Sequence, residues 1–212
     1  MVHSQVAPLC LVTDRSLCSV DLLPEKIAAA VAGGVTMVQV REKDLPGGEL
    51  FALARAVKAR IAGRALLIVN ERVDLAIAAG ADGVHLAEAS MPTVEARRVA
   101  GANLLIGRSV HSVDAARTAE AQGADYLIVG TLYETRSKPG KTPEGLALMR
   151  EISRAVRIPC LGIGGVTAHN APEVLKAGAK GVAVVSAILS AYDAQRAARE
   201  LRLAVAPLKA AK

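Results

Sequence analysis

Tryptophan is absent from the 212 residues, and aromatic side chains make up only 2% of them, as three Tyr and one Phe. A core of stacked rings is thereby excluded. With 52% hydrophobic residues, the core must instead be packed from Val, Ile, Leu and Ala, the residues that fill barrel interiors. Cysteine is scarce as well: Cys10, Cys18 and Cys160 are odd in number and lack CxxC spacing, which excludes a disulfide framework or zinc site and fits a reducing, cytoplasmic setting. No stretch approaches the roughly 18 apolar residues of a spanning helix, and residues 1–8 lack the basic segment and apolar run of an export signal, so no membrane association is expected. Charge of one sign is nowhere concentrated. The 26 Lys and Arg are scattered among 20 Asp and Glu, so the net charge of +6 does not mark a nucleic-acid partner and suits a small anionic substrate.

What is present is a rhythm. Short apolar runs at 9–13, 35–40, 65–69, 83–86, 104–107, 126–129, 160–163 and 181–185 alternate with Ala-rich stretches of helical character, such as 24–32, 49–61, 113–122, 144–156 and 171–177. Strands buried on both faces read as continuous apolar runs, and βα units repeated about eight times predict a parallel sheet. Three junctions echo one another: Ala79-Gly80-Ala81-Asp82-Gly83-Val84, Gln122-Gly123-Ala124-Asp125-Tyr126 and Ala177-Gly178-Ala179-Lys180-Gly181-Val182 each place a helix-closing Gly before a strand. The first strand is not followed by GxGxxG, which disfavours a dinucleotide fold. The expected fold class is α/β, a single (β/α)₈ TIM barrel over residues 1–206, with 207–212 a frayed tail.

In such a barrel the segments after the strands form the reactive face, so polar residues there carry the information. Period-two alternation in Gln39-Val40-Arg41-Glu42-Lys43 sends Gln39, Arg41 and Lys43 to one side; inward, they would present a carboxamide and two cations to a phosphate or pyrophosphate. Asn70-Glu71 follows the third run and is read as the start of the next helix. His85 closes the fourth and reads as a hydrogen-bonded core residue. Ser109, His111 and Ser112 follow the fifth, Ser112 as a helix N-cap. Residues 130–143, Thr131 among them, form the longest loop, polar and punctuated by Gly and Pro, where Thr135, Ser137 and Lys138 offer hydroxyls and an ammonium to phosphate oxygens. Gly164-Gly165 after the seventh run and Ser186 after the eighth stand where barrels of this kind hold phosphate.

Taken together, Gln39-Val-Arg-Glu-Lys43, Val69-Asn-Glu-Arg-Val-Asp-Leu-Ala76, Gly83-Val-His-Leu86, Gly107-Arg-Ser-Val-His-Ser112, Thr135-Arg-Ser-Lys138 and Ile163-Gly-Gly165 resemble the thiamine-phosphate synthase family and its TenI-type relatives over nearly the whole chain. In the synthases a pyrimidine pyrophosphate loses pyrophosphate to Mg²⁺ and the resulting cation is captured by a thiazole phosphate. The resemblance implies that Gln39 faces the pyrimidine, that Arg41, Lys43 and Asn70 face the pyrophosphate, and that Ser109 meets it on departure. Thr135, Ser137, Lys138, Gly164, Gly165 and Ser186 would hold the thiazole phosphate.

Two departures complicate the assignment. The synthase pattern has two Asp ligands for Mg²⁺; here Glu71 replaces one, and the run Ala87-Glu88-Ala89-Ser90 leaves Glu88 as stand-in for the other, Ser90 being a poor replacement. TenI-type proteins lack that carboxylate pair and aromatise a carboxythiazole phosphate without metal, but their acid/base His is Thr131 here, leaving His111 or the substrate's own carboxylate to move the proton. The missing second Asp places tautomerase chemistry ahead of synthase chemistry, with a non-catalytic thiazole-phosphate binder as third reading. Mg²⁺ is expected for a synthase and no cofactor for a tautomerase. Self-association into a homo-oligomer stays open.

Overall fold

The computed structural model describes residues 7–135, 140 and 142–206. Eight parallel strands close into a barrel in chain order: β1 (Leu9–Val12), β2 (Met37–Val40), β3 (Leu66–Asn70), β4 (Gly83–Leu86), β5 (Leu105–Val110), β6 (Tyr126–Val129), β7 (Cys160–Gly162) and β8 (Gly181–Val184). The helices between them are α1 (Leu23–Ala32), α2 (Gly47–Ile61), α3 (Val73–Ala78), α4 (Thr93–Ala100), α5 (Val113–Ala121), α6 (Gly145–Ala155) and α7 (Ala171–Lys176); α8 (Ser186–Leu189) and α9 (Ala194–Ala204) follow β8. Closure is made by β1 on β8, with Leu9 opposite Val182 and Leu11 opposite Val184.

Alternation along each strand divides the core into two layers. Cys10, Val12, Met37, Ile68, Tyr126, Ile128, Leu161 and Ala183 fill the barrel interior. Their strand neighbours, among them Leu11, Val38, Leu67, Leu127 and Val184, face outward onto Ile27, Leu53, Val57 and other helix residues. Tyr126 is the one large ring inside, and Gly107 makes room for it: a Cβ there would run into the Tyr126 ring and come 2.5 Å from His85 Nδ1. Scarcity of aromatics and a glycine facing the buried Tyr126 ring, which packs on the His85 imidazole, are thus parts of one packing solution.

The three echoed junctions have a shared structural use. Gly80, Gly123 and Gly178 all adopt positive φ (65°, 87° and 104°), the left-handed turn that ends a helix. In the first two, the Asp that follows caps the neighbouring strand: Asp82 accepts from Leu67 N at 2.7 Å and Asp125 from Ile106 N at 2.7 Å. Each is also gripped by a cation, Lys58 and Arg97 respectively.

Boundaries differ from expectation at two places that matter. β5 runs three residues further than its apolar run, so Arg108 and Ser109 belong to the strand. Asn70 ends β3 instead of starting a helix, because Glu71 turns the chain at φ 60° and α3 begins only at Val73. Among the described residues no helix is long and apolar enough to cross a membrane. The expected tail, 207–212, lies outside the described residues.

Candidate active site

The mouth of the barrel over β2, β3 and β4 carries a continuous polar chain. Gln39 points inward and is buried; its Nε2 donates to Asn70 Oδ1 at 2.9 Å. Asn70 Nδ2 donates onward to Glu71 Oε2 at 3.1 Å, and Ser90 Oγ donates to Glu71 Oε1 at 2.5 Å. Lys43 Nζ stands 3.9 Å from the same carboxylate. The turn at Glu71 is fixed from below by its amide, which donates to the His85 carbonyl at 2.8 Å. A left-handed backbone at a non-glycine residue costs about 1–2 kcal/mol, and here it aims a carboxylate at the mouth. Beside this chain lies an open pocket of about 270 Å³ lined by Glu42, Lys43, Leu45, Leu50, Asn70, Glu71 and Arg72.

Arg41, expected to face a phosphate, has its backbone N held by Thr13 Oγ1 at 2.8 Å, while its side chain makes no hydrogen bond or ion pair to a described residue. Glu42 was not singled out by sequence and is buried: its Oε2 accepts from Arg15 N at 3.0 Å, tying the β1 loop to the β2 loop. Burial pushes its carboxyl above the usual range.

Across the mouth, His85 on β4 and Ser109 on β5 meet, with Nε2 2.8 Å from Oγ. Both face inward on neighbouring strands, and that pairing was predictable from parity once β5 is known to include Ser109. Burial, with the positive charges of Arg108 and Arg41, pulls the His85 pKa down to about 3, so its imidazole is neutral. His111 is occupied by Glu88: Nδ1 lies 2.8 Å from Oε2, and the His111 amide donates to Oε1 at 3.3 Å. Glu88 is therefore turned toward β5, and the residue of its loop that reaches Glu71 is Ser90. Glu88, offered by the sequence as a second metal ligand beside Glu71, is thus engaged by His111, and the side chain that stands at hydrogen-bond distance from Glu71 is Ser90. Among the described residues, no group of three or more His, Cys, Asp or Glu is placed to hold a metal ion.

Over β6, β7 and β8 the loops are laced together. Leu132 N donates to Ile163 O at 2.9 Å and Tyr133 N to Gly164 O at 3.0 Å. Gly164 and Gly165 have φ of 98° and 64°, and the β6 loop lies against both: a Cβ on Gly164 would be 2.5 Å from Thr131 Cγ2, and one on Gly165 would strike the Glu134 carbonyl. Thr131 is buried and bonded reciprocally to Glu144, its amide donating to the carboxylate and its carbonyl accepting from Glu144 N at 2.8 Å. That arrangement places it in the wall of the site. Ser186 opens α8 directly after β8. Thr135 follows in the same loop, and the expected phosphate contacts Ser137 and Lys138 lie outside the described residues.

A closed (β/α)₈ barrel with a polar mouth and glycine-lined loops after its late strands defines the chain as a TIM barrel with its polar groups gathered at the C-terminal ends of the strands. Comparison with known proteins narrows this. Residues 9–188 match the family described as thiamine monophosphate synthase, and the chain belongs to that family. It is 46% identical to a thiamine-phosphate synthase of Methanoculleus marisnigri over 205 residues, covering 95% of this chain and 97% of the relative. It is likewise 46% identical to one of Moorella thermoacetica over 181 residues, covering 84% and 86%. Among solved structures, the thiamine phosphate pyrophosphorylase from Pyrococcus furiosus superposes with a TM-score of 0.86 at 39% identity, covering 94% of this chain and 95% of that one.

Proposed function

We propose that the chain is a thiamine-phosphate synthase, joining a hydroxymethylpyrimidine pyrophosphate to a thiazole phosphate with release of pyrophosphate. The observation that carries this reading is the chain Gln39–Asn70–Glu71–Ser90 with Lys43 beside it. A tautomerase acting on a thiazole phosphate alone has no use for a pyrimidine reader linked to an anion-handling carboxylate and ammonium. The comparisons weigh the same way. They give no support to the tautomerase order inferred from the missing Asp, and the relatives bear the synthase name.

Mg²⁺ takes hard oxygen ligands, keeps several waters and is held by one or two carboxylates together with substrate phosphates. Glu71 and Ser90 fit that pattern, one carboxylate and one hydroxyl at hydrogen-bond distance on adjoining loops. The ion bound there would neutralise charge on the departing pyrophosphate. Around it the protein's own groups divide the work. Gln39 is oriented by Asn70 so that its remaining amide capacity reads the pyrimidine, Arg41 and Lys43 draw the pyrophosphate, and Ser109, backed by neutral His85, offers a hydroxyl to the leaving group. The Gly164–Gly165 turn, Thr135, Ser186 and the adjoining loop residues Ser137 and Lys138 would hold the thiazole phosphate.

Incubating the purified protein with both substrates and Mg²⁺ and assaying for thiamine phosphate tests this. Product that disappears with EDTA is the expected result. Turnover of a carboxythiazole phosphate without metal would establish the tautomerase instead, and tight binding of thiazole phosphate without turnover would establish a non-catalytic binder.

A further inference from the structure

The loop that brings Ser90 to Glu71 has no apolar anchor of its own. None of residues 87–92 is buried, and the Met91 side chain is 46% exposed. Its internal bonding includes a turn in which Ser90 N donates to Ala87 O at 3.0 Å. What holds it is the end of β5. Arg108 projects from the outer face of that strand, opposite in parity to Ser109, and its guanidinium donates to three carbonyls of the loop: Met91 O at 2.6 Å, Glu88 O at 2.8 Å and Ser90 O at 3.3 Å. His111, just beyond the strand, takes the Glu88 carboxylate through its ring and its amide.

We infer that Arg108 is a positioning residue: by bracing the β4–α4 loop it presents Ser90 to Glu71 and thereby sets affinity for the pyrophosphate end of the substrate. This rests on the synthase reading of the site. The guanidinium suits the task because its planar fork carries five N–H donors and can serve several carbonyls at once, while an ammonium on a shorter reach serves fewer in fixed geometry. Among the described residues, the loops after β6, β7 and β8, which make up the proposed thiazole-phosphate side, share no bond with this brace, so the effect should be one-sided.

The test compares the unmodified protein with Arg108→Leu, Arg108→Lys, Ser90→Ala and the Arg108→Leu/Ser90→Ala double variant. Amide exchange at residues 87–92 should speed up by roughly tenfold or more in Arg108→Leu while the barrel strands keep their protection. Calorimetric affinity for inorganic pyrophosphate with Mg²⁺ should fall about tenfold, and KM for the pyrimidine pyrophosphate should rise alike, with KM for the thiazole phosphate within about twofold. Arg108→Lys should recover part of the loss. Because Arg108 acts through Ser90, the double variant should bind pyrophosphate no more weakly than the worse single variant. A freed loop with unchanged pyrophosphate affinity overturns the proposal, as does an effect spread evenly over both substrates or full additivity in the double variant. If Arg108→Leu fails to fold, an Arg108→Lys protein with unmodified loop exchange and affinity overturns it equally. Failure of the synthase reading looks different: no thiamine phosphate is formed, yet pyrophosphate affinity still responds to Arg108. An unmodified protein that binds no pyrophosphate overturns both.

Discussion

At Gly165 the backbone lies at φ 64° with the Glu134 carbonyl and Tyr133 Cβ where a side chain would begin. Even Gly165→Ala should therefore cost about 2 kcal/mol or more of stability, from left-handed strain plus displacement of the β6 loop, and should weaken thiazole-phosphate binding with it. Urea unfolding and calorimetry on the same variant check both. A substitution there removes a backbone cradle and also loosens the fold, which sequence reading of the glycine pair as a cradle alone does not anticipate. Gln39→Leu would leave Asn70 Oδ1 buried without its donor, a cost of about 1–3 kcal/mol by denaturant titration, alongside loss of pyrimidine selectivity. His85 supplies a pH dependence. Its folded pKa, near 3, lies below the ordinary 6.5, so the unfolded chain takes up a proton more readily as pH falls. The stability associated with a neutral His85 is present above about pH 6.5 and is lost as pH falls toward 3, by up to about 1.4 kcal/mol per pH unit. His85→Gln should flatten that acid limb in unfolding curves recorded from pH 7 to pH 4.

At the scale of elements, the fold keeps its chemistry on strand ends and its compromises at helix ends. Helix α2 closes with Ala62 at φ 48° and ψ 43°, a left-handed position that favours glycine, its amide still bonded to Lys58 O at 3.2 Å. Ala62→Gly should raise stability by about 0.5–1 kcal/mol with activity unchanged, seen as a higher urea midpoint at constant slope. The contrast with Glu71 is instructive, since both are non-glycine residues in the same backbone region. At Ala62 the strain serves nothing visible; at Glu71 it aims a carboxylate that Asn70, Ser90 and Lys43 all address. Element boundaries explain what the sequence left ambiguous. Arg108 and Ser109 interrupt the apolar run, so β5 reads as ending at Gly107, although two polar residues on opposite faces are compatible with strand when one reaches a loop and the other a barrel mouth.

For the whole molecule, closure of β1 on β8 is reinforced by α9, whose Arg202 donates to Ala7 O at 2.6 Å, so the two ends of the described chain are latched to each other. Pyrophosphate with Mg²⁺ at about 100 times its dissociation constant should stabilise the fold by about 2.7 kcal/mol, or roughly 5–10 °C in Tm. Mg²⁺ alone should shift it far less, because one carboxylate and one hydroxyl are a weak site without substrate oxygens. Thermal scans with each addition separate these cases.

The sequence by itself determined a parallel sheet of about eight βα units, because continuous apolar runs alternating with helical stretches leave a closed barrel or a doubly wound sheet, the absent GxGxxG favouring the barrel, and it determined which loops carry polar residues, because strand parity is local. It also singled out Gln39, Lys43 and Ser109 by their places after the strands, while Asn70 and Glu71 read as a helix start and acquired a role only through the family resemblance. Only the tertiary structure decided how those residues are paired. Ser90 rather than Glu88 meets Glu71, and Glu88 is claimed by His111, because the brace from Arg108 fixes a loop whose own residues carry no preference for that placement. Which side chain completes a site formed between adjacent strands depends on contacts about twenty residues apart in sequence, and no local pattern encodes that choice.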